Sequence, residues 1–194
     1  MCLGPRRFQS TVRVSPRVSA ILIVAVVGAA SCAQPTRAPC ELSAAETRQL
    51  LALEPSDFDQ QRGRGWRALA DQGCFCAAAE MIDAYMEQGA GQLNEEQQRL
   101  FRWHAGQMYA YAGSTALARE RMLAALDPTE PDPPFFPWND YVRATIAFLD
   151  GDRARLEHHR GRIARTVSKG NLAIVDALLE RFGQPYATAS PYAP

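Results

Sequence analysis

Lysine is almost missing from this chain: Lys169 is the only one among 21 basic residues. Set beside the abundance of Ala, the Arg bias reads as the mark of a GC-rich genome, not of a function. Histidine is scarce too, with three residues, His104, His158 and His159. No apolar–polar alternation of the kind a half-buried strand needs occurs anywhere, so a sheet is not expected. Long hydrophobic runs are also missing. The longest apolar-to-small stretch, Val18 to Ala30, has 13 residues. At about 1.5 Å per residue it reaches roughly 20 Å, short of a ~30 Å hydrocarbon core. A permanent membrane-spanning helix is therefore the weaker reading of that segment.

What precedes the stretch explains it better. Arg6, Arg7, Arg13 and Arg17 with no acidic residue form a charged lead-in to a short apolar core, which is the build of a bacterial export signal. Gln9 stands where a twin-arginine motif wants Phe or Leu, and that route is set aside. Ala29-Ala30-Ser31-Cys32 resembles the lipobox of bacterial lipoproteins, with Ala29 in the place usually held by Leu. The resemblance implies a signal of residues 1–31, lipidation of Cys32 as the first mature residue, and, with Ala33 following it, the outer membrane. Several acyl chains on one residue exceed what stable anchoring requires. Ordinary signal-peptidase cleavage after the small residues Ser31-Cys32-Ala33 is the alternative. The signal takes four of the 21 cations and none of the 21 acids, leaving about four excess negative charges on the rest. Such a chain lacks the clustered cations that nucleic-acid binding demands.

The cysteines left beyond the signal and Cys32 are Cys40, Cys74 and Cys76. An oxidising compartment permits one disulfide, with Cys40 pairing to Cys74 or Cys76. Free thiols are the alternative. A metal site is disfavoured, because a Cys-x-Cys spacing supplies two ligands and no His lies nearby. No metal and no cofactor is expected.

Residues 32–55 read as a Pro-containing tether followed by a short helix, opened by the capping-box spacing of Ser43 and Glu46 and stopped by Pro55. A helix from Ser56 to about Gln72 contains Gly63 and Gly65, each costing about 1 kcal/mol. Helices follow over 75–88, over 94–112 behind a second capping box at Asn94 and Gln97, and over 115–126. Residues 127–137, with five prolines, form a stiff extended connection. Three more helices, 138–150, 153–168 and 171–182, bring the expected total to eight. Residues 187–194 are expected as a flexible tail.

One small pattern recurs along 56–186: a helical run, a Gly turn, then an Ala-rich helical run. The turns fall at Gly73, Gly113 and Gly151, 40 and 38 residues apart. That is the period of stacked helix hairpins. In the unit around Gly113, Gly106, Tyr109, Ala118 and Ala125 fall on the small and aromatic positions of the tetratricopeptide repeat, and Pro128 follows. The units around Gly73 and Gly151 keep fewer of these, with Ala78 and Ala144 in place. Arg62, Arg102 and Asp140 stand where each unit's large apolar residue belongs. The chain thus resembles a degenerate tetratricopeptide-like array over about 57–168. Its C-terminal NLAIVDALLERFGQPYA resembles proteobacterial envelope proteins of this kind, which adds no activity. The implied fold is all-α, a superhelical stack of antiparallel hairpins.

In that register the resemblance places Arg67, Trp103, Gln107, Tyr111, Trp138, Tyr141 and Thr145 on the concave groove that binds extended peptides. The competing reading turns these aromatics inward as core, because Arg102 displaces the apolar position beside Trp103. Phe135-Phe136-Pro137-Trp138 carries the same ambiguity: docked on the preceding hairpin, or exposed for a partner. Catalytic constellations are thin. His158 and His159 point about 100° apart on a helix and cannot share one metal. His104 reads as packing, and no Ser has a His at a suggestive spacing. Arg153 to Lys169 holds six cations against Glu157 alone, a solvated face or a contact for anionic lipid or glycan. The function expected is a non-enzymatic, lipid-anchored adaptor on the periplasmic or outer-membrane side that binds an envelope protein or peptide. An accessory factor or enzyme acting on envelope polymers is the alternative.

Overall fold

Short-range signals set the helix starts. In the computed structural model, which describes residues 40–89, 93–132 and 134–191, the Ser43 hydroxyl accepts from the Glu46 N–H at 3.2 Å and Glu46 accepts back from the Ser43 N–H at 2.8 Å. Asn94 and Gln97 exchange the same pair of bonds at 2.9 and 3.0 Å. The helices are α1 (Ala44–Leu51), α2 (Pro55–Asp59), α3 (Arg67–Ala70), α4 (Phe75–Gly89), α5 (Glu95–Tyr111), α6 (Thr115–Leu123), α7 (Trp138–Leu149), α8 (Arg153–Arg165), α9 (Leu172–Glu180) and α10 (Tyr186–Ala189). Among the described residues there is no strand, and the protein is all-α.

The three Gly turns share one backbone geometry. Gly73, Gly113 and Gly151 have φ of 75°, 74° and 69°, the left-handed region that favours glycine. Each turn closes with the same long bond: Cys74 N–H to Leu69 C=O at 2.9 Å, Ser114 to Tyr109 at 2.8 Å, Asp152 to Ala147 at 2.9 Å. The glycine N–H bonds the carbonyl three residues back in every case. Those two bonds are the Schellman closure that satisfies the last carbonyls of a helix and reverses the chain. Hairpins result: α5 lies on α6 and α7 on α8. At the α5–α6 contact a Cβ on Gly106 would fall 2.7 Å from Met122 Cγ and 3.1 Å from the Ala118 carbonyl, so only glycine lets the helices approach this closely.

Among the described residues ten helices stand where eight were expected, for two reasons. The expected helix over 56–72 breaks into α2 and α3 because Gly65 takes φ +56°, with its Cα so near α2 that a Cβ would lie 1.9 Å from the Phe58 carbonyl oxygen. That reversal folds Trp66 back over α2, leaving Trp66 and Phe58 fully buried. Phe58 stacks on Tyr85 at 3.9 Å between ring centres and faces Phe101 at 5.8 Å. Burying one such ring stabilises by about 1.5–3 kcal/mol. The second addition is α10. Residues 187–190 fall within the expected tail, yet Ala189 and Ser190 are buried and α10 packs on α5 and α9.

The core runs as one cluster from Phe58 to Ala189, with α7 buried along most of its length between α6, α8 and α9. At the N-terminal end Cys40 and Cys74 form a disulfide that ties the chain ahead of α1 to the α3–α4 turn. Cys76 is disulfide-bonded as well. The expected signal, the Cys32 lipid site, residues 33–39 of the tether and residues 192–194 lie outside the described residues. Among the described residues no helix is long and apolar enough to cross a membrane.

Candidate functional site

The seven residues expected along a concave groove do not line an open one. Trp103, Tyr111, Tyr141 and Thr145 are buried, while Arg67, Gln107 and Trp138 are half-buried. Two things cover the face. Against Trp103 lies the start of α7, with Trp138 at 5.6 Å and Tyr141 at 4.8 Å between ring centres, and the Trp138 indole donates to the Ala125 carbonyl at 2.7 Å. Against Gln107 and Tyr111 lies α10. The Tyr186 ring sits 5.0 Å from that of Tyr111, its hydroxyl bonds Gln107 and Ser190, and Tyr111 Oη is 2.7 Å from Ser190 Oγ. Thr145 spends its hydroxyl on the Tyr141 carbonyl at 3.1 Å. Arg67 lies flat over the Trp66 ring, 4.3 Å from its centre, with its Nε on the Asp59 carbonyl. The groove reading is corrected accordingly: these aromatics are core. Arg102 supplies the reason, since its guanidinium stays at the surface on the Ala124 carbonyl and Gln98, and the neighbouring Trp103 turns in.

Three polar clusters went unread in the sequence. Asp59, 1% exposed, accepts from Trp66 Nε1 at 2.8 Å and from the Gln60 amide, and lies 2.6 Å from His104 Nδ1. Burial pushes its pKa up, but the His104 bond and charge, the Trp66 bond and the Arg67 charge outweigh it and hold the carboxyl below its usual value. Asp140, also buried, lies 2.8 Å from His159 Nδ1 and takes Arg162 Nε at 2.9 Å. Burial depresses the His159 pKa, with Asp140 opposing. Asp83 takes Arg121 through two nitrogens at 2.8 and 2.9 Å and the Tyr109 hydroxyl at 2.8 Å. The two Asp–His pairs have the second half of a catalytic triad but not the first. Among the described residues neither ring is seen bonded to a Ser, Thr or Cys side chain. Nor do any three His, Cys, Asp or Glu among them gather as metal ligands.

The open surface lies elsewhere, on the proline-rich connection between α6 and α7. This segment is pinned. Asn139 bonds Asp127 in both directions at 2.8 and 2.7 Å, and its N–H donates to Glu130 at 2.9 Å. The Asp127 carboxylate accepts twice from Thr129, and Arg99 lies 3.4 Å from it. The Ser168 N–H reaches the Phe135 carbonyl at 3.3 Å. So held, the loop leaves Phe135 72% exposed and Phe136 38% exposed, with Val167 at 83% on the loop it bonds. Two clefts open beside it. One, about 460 Å³, is walled by Leu100, Pro131, Pro134, Phe135, Phe136 and Trp138, with Glu96 and Glu130 on its rim. The other, about 440 Å³, lies among Pro134, Phe135, Val167, Arg162 and Arg165. Phe135 and Pro134 are common to both. No protein family, curated protein or solved structure matches the chain.

Proposed function

We propose that this protein is a lipid-anchored adaptor of the bacterial cell envelope, a tetratricopeptide-like hairpin stack that binds a partner protein through the clefts flanking Phe135. The observation that carries the reading is Phe135 itself. Most aromatics among the described residues are buried or half-buried, whereas this ring is 72% exposed, on a loop held by bonds at Asp127, Glu130 and Phe135. An aromatic on a pinned backbone between two apolar-walled clefts is the build of an interface anchor, because part of the cost of ordering the loop is spent before the partner arrives. The repeated Schellman turns and the close α5–α6 contact at Gly106 support the hairpin-stack part of the reading.

Phe135→Ser tests it. The substitution removes no buried contact, so the unfolding midpoint should stay within about 0.5 kcal/mol of the parent, while partner affinity should fall at least about tenfold. A photo-crosslinking residue at position 135 should give a discrete adduct in intact cells, and one at exposed Ser43 should not. An absent adduct, or the same adduct from both positions, sinks the reading.

The anchor rests on the lipobox-like Ala29–Cys32 and the export signal before it. Metabolic labelling with a palmitate analogue should mark the parent protein, and Cys32→Ser should lose both label and membrane fraction. Unchanged label in that variant, or Cys32 recovered in a disulfide by non-reducing peptide mapping, removes the anchor.

A further inference from the structure

The charges around Phe135 are not balanced, and the imbalance names the partner's chemistry. Of the six cations between Arg153 and Lys169, four are spoken for. Arg153 pairs with Glu157 at 2.8 Å, Arg155 with Asp150 at 3.6 Å, Arg160 with Asp176 at 2.7 Å and Arg162 with Asp140 at 2.9 Å. Arg165 and Lys169, both exposed, have no ion-pair partner among the described residues. They bracket Val167, the most exposed large apolar residue described, on the loop hydrogen-bonded to Phe135. Asp132 is the one exposed carboxylate on the same cleft, and Arg162 faces it at 3.9 Å. This side therefore offers one uncommitted cation in the cleft, Arg165, beside an apolar floor, with Lys169 further along the same loop. The cleft on the other side of Phe135 is lined by Glu96, Glu130 and the Arg99–Asp127 pair, which leaves it net acidic.

We infer that the occupant is an extended partner segment whose apolar side chains straddle Phe135 and whose carboxylates meet Arg165 and Lys169. The inference rests on the adaptor reading above and sharpens it. A bilayer fits the geometry less well, because the surface is concave on both sides of the ring. Glu96 and Glu130 would also be pressed toward anionic headgroups. A polypeptide has no such conflict: it can turn one charge toward each cleft. Because both cations are solvated, their contribution should weaken as salt rises.

The test uses the full chain, purified in detergent, against a displayed library of random twelve-residue peptides. Enriched peptides should combine Asp or Glu with Phe, Leu or Trp. Arg165→Glu with Lys169→Glu, which touches no buried group, should weaken the recovered peptides at least tenfold, and Phe135→Ser should weaken them as much. Circular dichroism of both variants should match the parent. Enrichment without an acidic bias, or binding indifferent to the charge reversal yet lost in Phe135→Ser, overturns the acidic-segment inference and leaves the adaptor standing. If no peptide is enriched and phosphatidylglycerol vesicles retain the protein through Phe135 and Arg165, the protein-binding reading itself falls.

Discussion

Asp59→Ala should lower the stability of the protein by about 3–5 kcal/mol, the range for stripping one partner from a buried charged cluster. The carboxylate is 1% exposed and is the acceptor on which Trp66, His104 and Gln60 converge. Truncation leaves the indole N–H and the imidazole without their partner inside the core, each a penalty of about 1–3 kcal/mol. It also opens space beneath Trp66, which packs 5.3 Å from the His104 ring. Asp59→Asn should cost less, since an amide oxygen still accepts from Trp66. The pH dependence follows from the depressed pKa. A carboxylate held below its usual value stabilises the fold above about pH 4, and that contribution disappears as pH falls through the lower folded-state value. Urea titrations of the parent at falling pH should steepen below pH 4, and those of Asp59→Asn should be flatter there. A cost under 1 kcal/mol for the alanine variant would mean that the cluster contributes nothing to the fold.

This cluster also marks where sequence reading stops. Local rules carried the helix boundaries: both capping boxes lie within four residues, and each turn glycine announces itself because the closure needs positive φ. Even the break between α2 and α3 had a visible sign in Gly63 and Gly65. Its cause, the approach of Gly65 to the Phe58 carbonyl, is a tertiary fact. Asp59 meets His104 across 45 residues and Asp140 meets Arg162 across 22, and no periodicity links such pairs. Asp140 did leave a trace, as a charge at a position reserved for a large apolar side chain. The groove failed for a related reason. A repeat register says which face α5 presents but not what covers it, and here α7 and the chain's own C-terminal helix do. The Phe135–Phe136 pair reads in the sequence as docked on the preceding hairpin or exposed; Phe136 instead meets the loop between α8 and α9. Phe136 lies against Gly170, where a Cβ would come within 3.0 Å of the ring, while Phe135 faces solvent.

Removing the Cys40–Cys74 disulfide should cost about 3–4 kcal/mol, as expected for releasing a loop closed across 34 residues. The appropriate variant is Cys40→Ser with Cys74→Ser, so that no new thiol is left to exchange with the disulfide at Cys76. The loss should concentrate on α1. That helix buries no residue of its own fully and lies against α4 through half-buried Leu50 and Leu51, helped by the Tyr85 hydroxyl on the Leu53 carbonyl at 2.6 Å. Its grip on the domain without the crosslink is therefore slight. Hydrogen exchange of the double variant should show α1 opening while α5 and α7 keep their protection, with a smaller denaturant slope because less surface remains to be exposed. Mild reduction of the parent should reproduce the pattern. If α1 stays protected in both cases, the helix holds by packing alone and the crosslink acts only on the unfolded chain. Under the proposed lipid anchor the distinction matters. Load arriving through the segment ahead of Cys40 enters the domain at the α3–α4 turn when the disulfide is intact, and through the weakly held α1 when it is not.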